Sequence, residues 1–314
     1  MSLLDDASLI ITPNAYKTSK LYSIKPTDGS GDLSVVRATT ATRVNEDGLI
    51  ESVASNIPRL DYSNGCPSIL VEPQRTNLVF PSATLTTQSR TVTATAHTLS
   101  FYGTGSVTLS GVATGTLNGT GANNRVTLTF TPTAGSLTLT VTGSVTFAQL
   151  EAGSNATSYI PTVSSTVTRN ADVISKQGIY TNNFITSSGG TWFVDLKDWK
   201  IGDSNVASIS LADTSLSTNN TINIISGTIR TRIGSTVGNS YSTLPNRAKI
   251  AIKWDGTFIN YFVNGVKVLT NGSFSITNMN FLNIGSNNAI RNIDSIILFP
   301  TLLTDQQCID LTTI

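Results

Sequence analysis

From about residue 79 the chain alternates apolar and polar positions with a period of two. TVTATAHTLSFYGTGSVTLSG, RVTLTFTPTAG and SLTLTVTGSVTFAQLEAG place β-branched or aromatic residues at every second position, with Gly, Asn or Pro interrupting them. A strand that buries one face and wets the other reads this way, so residues 79–163 are expected to form a β-sandwich. Val126, Leu128 and Phe130 fall on one face of one strand, and Leu137, Leu139 and Val141 on one face of a neighbouring strand. Thr127, Thr129, Thr138 and Thr140 face the other way.

Residues 164–314 carry a second all-β pattern. KIAIKWDGTFINYFVNGVKVL reads as two successive hairpins, with turns at Asp255-Gly256 and Asn264-Gly265, residues that tolerate the positive φ of tight hairpin loops. TWFVDL around Trp192 predicts an inner strand, with Trp192 and Trp254 in the core. Near the end Thr304 and Gln307 have the spacing of a capping box, so a short helix is expected there.

Residues 1–78 differ from both. Short apolar clusters alternate with strong turns at Pro26, Gly29 and Gly31, and much of the segment has neither helical nor strand periodicity. It is expected to be largely irregular. Arg37, Arg43, Arg59 and Arg75 stand out in it. A guanidinium fork suits bidentate pairing with a carboxylate such as Asp61 or Glu72 and with carbonyls where chains cross, so these four are candidate structural clamps.

Composition narrows the chemistry. Charged residues make up 12% of the 314 residues, the net charge is +1 and no basic run occurs, which argues against nucleic acid or anionic lipid as a partner. The apolar fraction of 39% is too high and too evenly spread for a disordered chain, and no apolar run is long enough to span a membrane. The amino end MSLLDDASLI lacks a basic region ahead of its apolar residues, so no secretory signal is read there. Cys66 and Cys308 lie far apart without metal spacing and are expected to be free thiols.

No catalytic, cofactor or metal site is expected. Glycosidases need two carboxyl groups flanking the scissile bond, yet the chain has only Glu46, Glu51, Glu72 and Glu151, none of them after residue 164. Asp195 and Asp198 would point to opposite faces of a strand, with Lys197 or Lys200 as salt partners. His97, the single histidine, has no nucleophile beside it in sequence. Sugar-binding sites use exposed aromatic faces, and Trp199 and Tyr241, in polar surroundings, are the candidate glycan contacts.

FAQLEAGSNATSYIPT resembles the closing strand of carbohydrate-binding jelly-roll modules, which returns the chain across the sandwich. The hairpins above, FLNIGSN and NIDSIILFPTLLTDQQCIDL resemble a concanavalin A-like domain of the laminin G type. RATTATRVNEDGLIE, PRLDYSNGCPSILVEPQRTNL and ATSYIPTVSSTVTRNADVIS resemble bacteriophage virion appendage proteins of the head-spike, head-fibre or tail-fibre kind. That resemblance implies a virion surface protein made in the bacterial cytoplasm, with residues 1–78 as its attachment or oligomerisation segment and lectin-like domains behind it. Its implied partners are its own copies (most often as a trimer), capsid or tail proteins, and host-surface polysaccharide. A virion-borne glycan depolymerase is the competing expectation.

Overall fold

A computed structural model describes residues 2–186, 189–200, 209–213, 220–225, 227–234, 236–273, 279–285 and 290–314, apart from the side chains of 198–200, 290 and 291. The protein is nearly all β, built from antiparallel sheets. One large sandwich is assembled from both ends of the chain. Its first sheet runs Val266–Ser273, Phe258–Val263, Ala248–Trp254, Gly190–Lys200, Ile290–Phe299, Ser68–Val71 and Leu60–Asp61, and Leu9–Ile11 also pairs with Ile290–Phe299. In the second sheet the strands Tyr16–Lys17, Lys20–Leu21 and Leu33–Val36 lead into Val173–Gln177, which pairs with Phe281–Gly285. Ile209–Ala212, Thr221–Ile225, Thr228–Ile233 and Thr236–Tyr241 complete it.

Residues 1–78 therefore do not stand apart, which corrects the expected boundary at residue 78. The segment is irregular over much of its length, but its apolar clusters LII, LSVV and SILV are strands of the large sandwich. Leu9, Ile11, Leu33, Val35, Leu60 and Ile69 share one core with Trp192, Ile250, Trp254, Tyr261 and Ile284. Clusters of three or four residues cannot bury a face alone; they form strands because the ladders of residues 164–314 offer partners. Trp192 and Trp254 are fully buried in that core.

Residues 79–163 are inserted into this sandwich. Arg75–Asn77 leads out and Val167–Arg169 leads back, and the two strands pair, Val167 opposite Asn77. Between them lie a four-stranded sheet, Gln88–Val92, Gly135–Thr142, Ser106–Gly111 and Gly115–Asn118, and a three-stranded sheet, Gly121–Phe130, His97–Gly103 and Val145–Ala152. Leu99, Phe101, Leu109, Leu137, Leu139 and Leu150 fill the space between them. The Val126–Phe130 and Leu137–Val141 stripes lie in opposite sheets and meet across this core rather than on neighbouring strands.

Local chemistry explains the turns and ends. Asn264 and Gly265 both adopt positive φ, at 48° and 79°, as a two-residue hairpin requires. Asp255 works differently: its Oδ1 accepts from the backbone N–H groups of Thr257 and Phe258. Thr304 caps the helix Asp305–Thr312, with Gln307 bonding back to the Thr304 N–H.

Candidate functional site: an arginine-held junction beside an aromatic groove

The segments that enter and leave the inserted module are tied to the sandwich by buried charge, and Ser158 of the module bonds to Arg59 and Glu72 of that cluster. Arg37, at the end of Leu33–Val36, is 1% exposed and pairs with Asp172 at 2.9 Å. Its other donors reach the carbonyls of Thr39, Ala54 and Ile57. Arg59 is equally buried and bonds to Glu72 at 2.7 Å, to Asp172 and to the Thr42 carbonyl. Arg169 approaches Glu72 at 3.2 Å and donates to the Pro73 carbonyl. Three guanidinium groups thus share two carboxylates at the point where the segment before the module meets the segment after it.

The field inside this junction is strong. Burial alone would raise the pKa of Glu72, but Arg169 and Arg59, with bonds from Ser158, hold it at about 2. Burial would likewise discharge Arg59, yet Asp172 and Glu72 outweigh it and keep its pKa above the ordinary value. Arg169 is lowered, burial being the dominant cause.

The return segment lies over the outer face of the three-stranded sheet. Glu151 accepts from the Thr157 N–H at 2.8 Å and from the Thr157 hydroxyl at 2.7 Å, and Gln149 Oε1 accepts from the Ile160 N–H at 2.6 Å. Gln149, Glu151, Thr98 and Ser100 are therefore buried although they point away from the module's core. Burial raises the Glu151 pKa in spite of these bonds.

Beside the junction a groove opens. The hairpin of Ala41–Val44 and Ile50–Val53 forms one wall with Tyr62 and Ser63, and the module forms the other with Tyr102, Arg125 and Phe147. An inner part of about 270 Å³ and an outer part of about 570 Å³ share Val44, Ile50, Ser63, Tyr102 and Arg125. Phe147 is central. The ladder between His97–Gly103 and Val145–Ala152 slips between Ser100 opposite Gln149 and Tyr102 opposite Thr146, leaving Phe147 and Ala148 to face one residue, Phe101. This bulge sends Ala148 into the core and turns Phe147, at φ 48°, outward to 40% exposure. Phe147 meets Tyr102 and Tyr159 edge to face, at centroid distances of 6.0 and 5.3 Å. Arg125 is set by bonds from Nη1 to the Thr157 carbonyl at 2.6 Å and from Nη2 to Ser100 Oγ at 2.8 Å.

Of the four arginines singled out in the sequence, Arg37 and Arg59 lie in the junction. Arg43 is half-buried and bonds to Glu51 and Tyr16, while Arg75 lies 3.8 Å from Glu151. Asp61 pairs with no arginine among the described residues; it accepts from the Val44 N–H and from Ser63. Arg169 and Asp172 were not singled out, although TRNAD places them three apart just past the module. The two aromatic residues singled out as glycan contacts, Trp199 and Tyr241, do not line the groove among the described residues. Tyr241 ends a strand and packs on the large core instead of sitting in a polar loop, and the side chain of Trp199 lies outside the described residues. Asp195 pairs with Arg247 and, among the described residues, with no lysine; the side chains of Asp198 and Lys200 lie outside them. Both cysteines are free, Cys66 exposed and Cys308 buried. His97 is buried, stacks on Phe130, and has Nδ1 2.8 Å from the Thr95 carbonyl.

Tyr102, Phe147 and Arg125 were missed. The signal for Phe147 was present: in VTFAQLEA strict alternation puts Val145 in phase with Gln149 and Glu151, so a residue must be inserted for Val145 and Leu150 to share a core.

No family model matches this chain, and no curated protein matches it. Among solved structures, one of botulinum neurotoxin type C, whose cell entry depends on two ganglioside molecules, is similar over 46% of this chain and 40% of that one, at 12% identity and a TM-score of 0.35. Domain 4 of AbnA, an extracellular arabinanase from Geobacillus stearothermophilus in complex with arabinotriose, is similar over 51% of this chain and 83% of that one, at 14% identity and a TM-score of 0.35. The NanB sialidase of Streptococcus pneumoniae is similar over 42% of this chain and 25% of that one, at 16% identity and a TM-score of 0.31. This chain thus spans less than half of that neurotoxin chain and about a quarter of that sialidase chain.

Proposed function

We propose that this protein is a non-enzymatic, lectin-like adhesin that takes a glycan into the groove between hairpin and module. The observation that carries the reading is the aromatic row Tyr102, Phe147 and Tyr159 beside Tyr62, in a groove also lined by hydroxyls, amides, apolar groups and the charged side chains Arg43, Asp61, Glu72 and Arg125. Aromatic faces stack on the apolar faces of sugar rings, while polar groups fix orientation. The two carboxylates that border the groove support binding over hydrolysis. Glu72 is held ionised by arginines, so it is not placed to donate a proton at neutral pH, and both oxygens of Asp61 already accept bonds from the Val44 N–H and from Ser63.

The wider setting proposed is a virion surface protein, displayed as a homo-oligomer on head or tail, with host polysaccharide as its target. This part rests on the resemblance of the junction-forming phrases to phage appendage proteins. Binding to an immobilised glycan panel, compared between the wild type and Tyr102→Ala, tests the groove. A loss of about tenfold with an unchanged melting transition is expected, in line with one stacked ring. Release of reducing sugar from a bound glycan would favour the depolymerase instead. A particle reconstruction without density for this chain would remove the virion setting.

A further inference from the structure

Resting on the glycan reading of the groove, we infer that its ligand is an acidic sugar whose carboxylate is read by Arg125. The groove has an unusual charge distribution. In its outer part Arg125 is the one charged side chain among the described lining residues. In the inner part the other charges are consumed: Arg43 pairs with Glu51 at 2.9 Å, Glu72 with Arg59 and Arg169, and Asp61 with backbone and Ser63 donors. Glu46 and Asp47, on the hairpin turn, line an adjoining cleft beside Tyr16 that meets the groove at Arg43 and Tyr62.

Arg125 itself has no bonded carboxylate among the described residues. Its two bonds go to neutral acceptors, Thr157 O and Ser100 Oγ, and its charge is felt but not bonded by Glu151 beneath the return segment. Those bonds use two of the five donors of a guanidinium and fix the plane of the fork. A held, half-buried cation without a bonded counter-ion is costly in a protein and favourable for an anionic ligand. A carboxylate matches the fork bidentately, and Tyr102 and Phe147 stand beside it to take the ring that carries the carboxylate. A neutral sugar would leave the charge uncompensated.

The test uses the full chain on a panel of immobilised neutral oligosaccharides and of uronate- and sialate-bearing oligosaccharides, with Arg125→Met, Arg125→Lys and Tyr102→Ala as variants. Expected are acidic-glycan hits that weaken about tenfold to a hundredfold in Arg125→Met, the range for losing a charge-assisted bond, with partial retention in Arg125→Lys. Raising the salt concentration should weaken them further. Arg125→Lys keeps the test meaningful if the methionine variant melts early, because the lysine retains charge and loses only the fork. Hits confined to neutral glycans, lost in Tyr102→Ala and kept in both Arg125 variants, would overturn the inference and leave the groove reading standing. No hits at all, or hits unaffected by Tyr102→Ala, would overturn both.

Discussion

The junction and the groove lie side by side and use arginine in opposite ways. Ser158 donates its N–H and hydroxyl to Glu72 in the junction, while its neighbour Thr157 offers its carbonyl to Arg125 in the groove. In the junction every guanidinium is buried with a carboxylate in reach, so its charge is spent on holding three chain segments together. In the groove Arg125 is positioned by neutral acceptors and keeps its charge available. The difference shows that arginine count alone says nothing about role. What decides it is whether an acidic group is buried with the arginine.

The largest expected effect comes from breaking the junction. Asp172→Ala removes the shared acceptor of Arg37 and Arg59 and the acceptor of the Glu72 N–H. Removing one member of a buried ion network costs about 3–5 kcal/mol, because the charges left behind stay buried. Chemical denaturation should show that loss. A cost below about 1 kcal/mol would mean that water reaches these arginines, and the contrast with Arg125 would collapse.

Acid should act next, and through the same cluster. Glu72 has a folded pKa of about 2 against an ordinary 4.5, so its contribution is complete above the unfolded value. That contribution is lost as pH falls from about 4.5 towards 2. By linkage this amounts to roughly 3 kcal/mol. Denaturation midpoints measured across this window should fall steeply in the wild type and much less in Glu72→Gln, which begins from a lower value. Tyr102→Ala, in the groove, should follow the wild-type profile.

How much of this was legible beforehand follows from range. The sandwich strands around Trp192, Trp254 and Leu137–Val141 were readable because alternation is a local signal. Arg37 and Arg59 could be singled out as charges in a charge-poor segment. Their partner Asp172 could not, since 135 residues separate it from Arg37 and the inserted module intervenes. The same distance hid the assembly of the sandwich from both ends: Leu9 meets Leu298 only in three dimensions. The bulge at Phe147 left a trace in the phase of Val145 and Leu150, but the groove pairs residues 42–63 with residues 102–159, a juxtaposition no local pattern carries.

That bulge supplies a smaller effect. Phe147 holds φ 48°, a left-handed conformation in which a side chain meets its own backbone. Phe147→Gly and Phe147→Ala both delete the ring, but only glycine relieves the backbone. The glycine variant should be the more stable of the two by about 1 kcal/mol, and both should lose glycan binding. Equal stabilities would mean that the bulge costs nothing, and the outward turn of the ring would then need no functional reason.

The smallest expected effect lies where the two regions touch. Glu151 is buried between them with its pKa raised by burial, so folding favours its neutral form. Stability should therefore rise as pH falls from neutrality through the raised value, and level off near the ordinary 4.5 before the Glu72 limb begins. Glu151→Gln keeps an oxygen for the Thr157 N–H and Gln149 Nε2, and its amide can face the Thr157 hydroxyl. It should change stability at neutral pH by less than about 1 kcal/mol and remove the rise. A wild-type profile already flat above pH 5 would mean that Arg125, with Arg75 at 3.8 Å, neutralises Glu151 in full. Arg125 would then belong with the junction arginines, and no charge would be left over for a ligand.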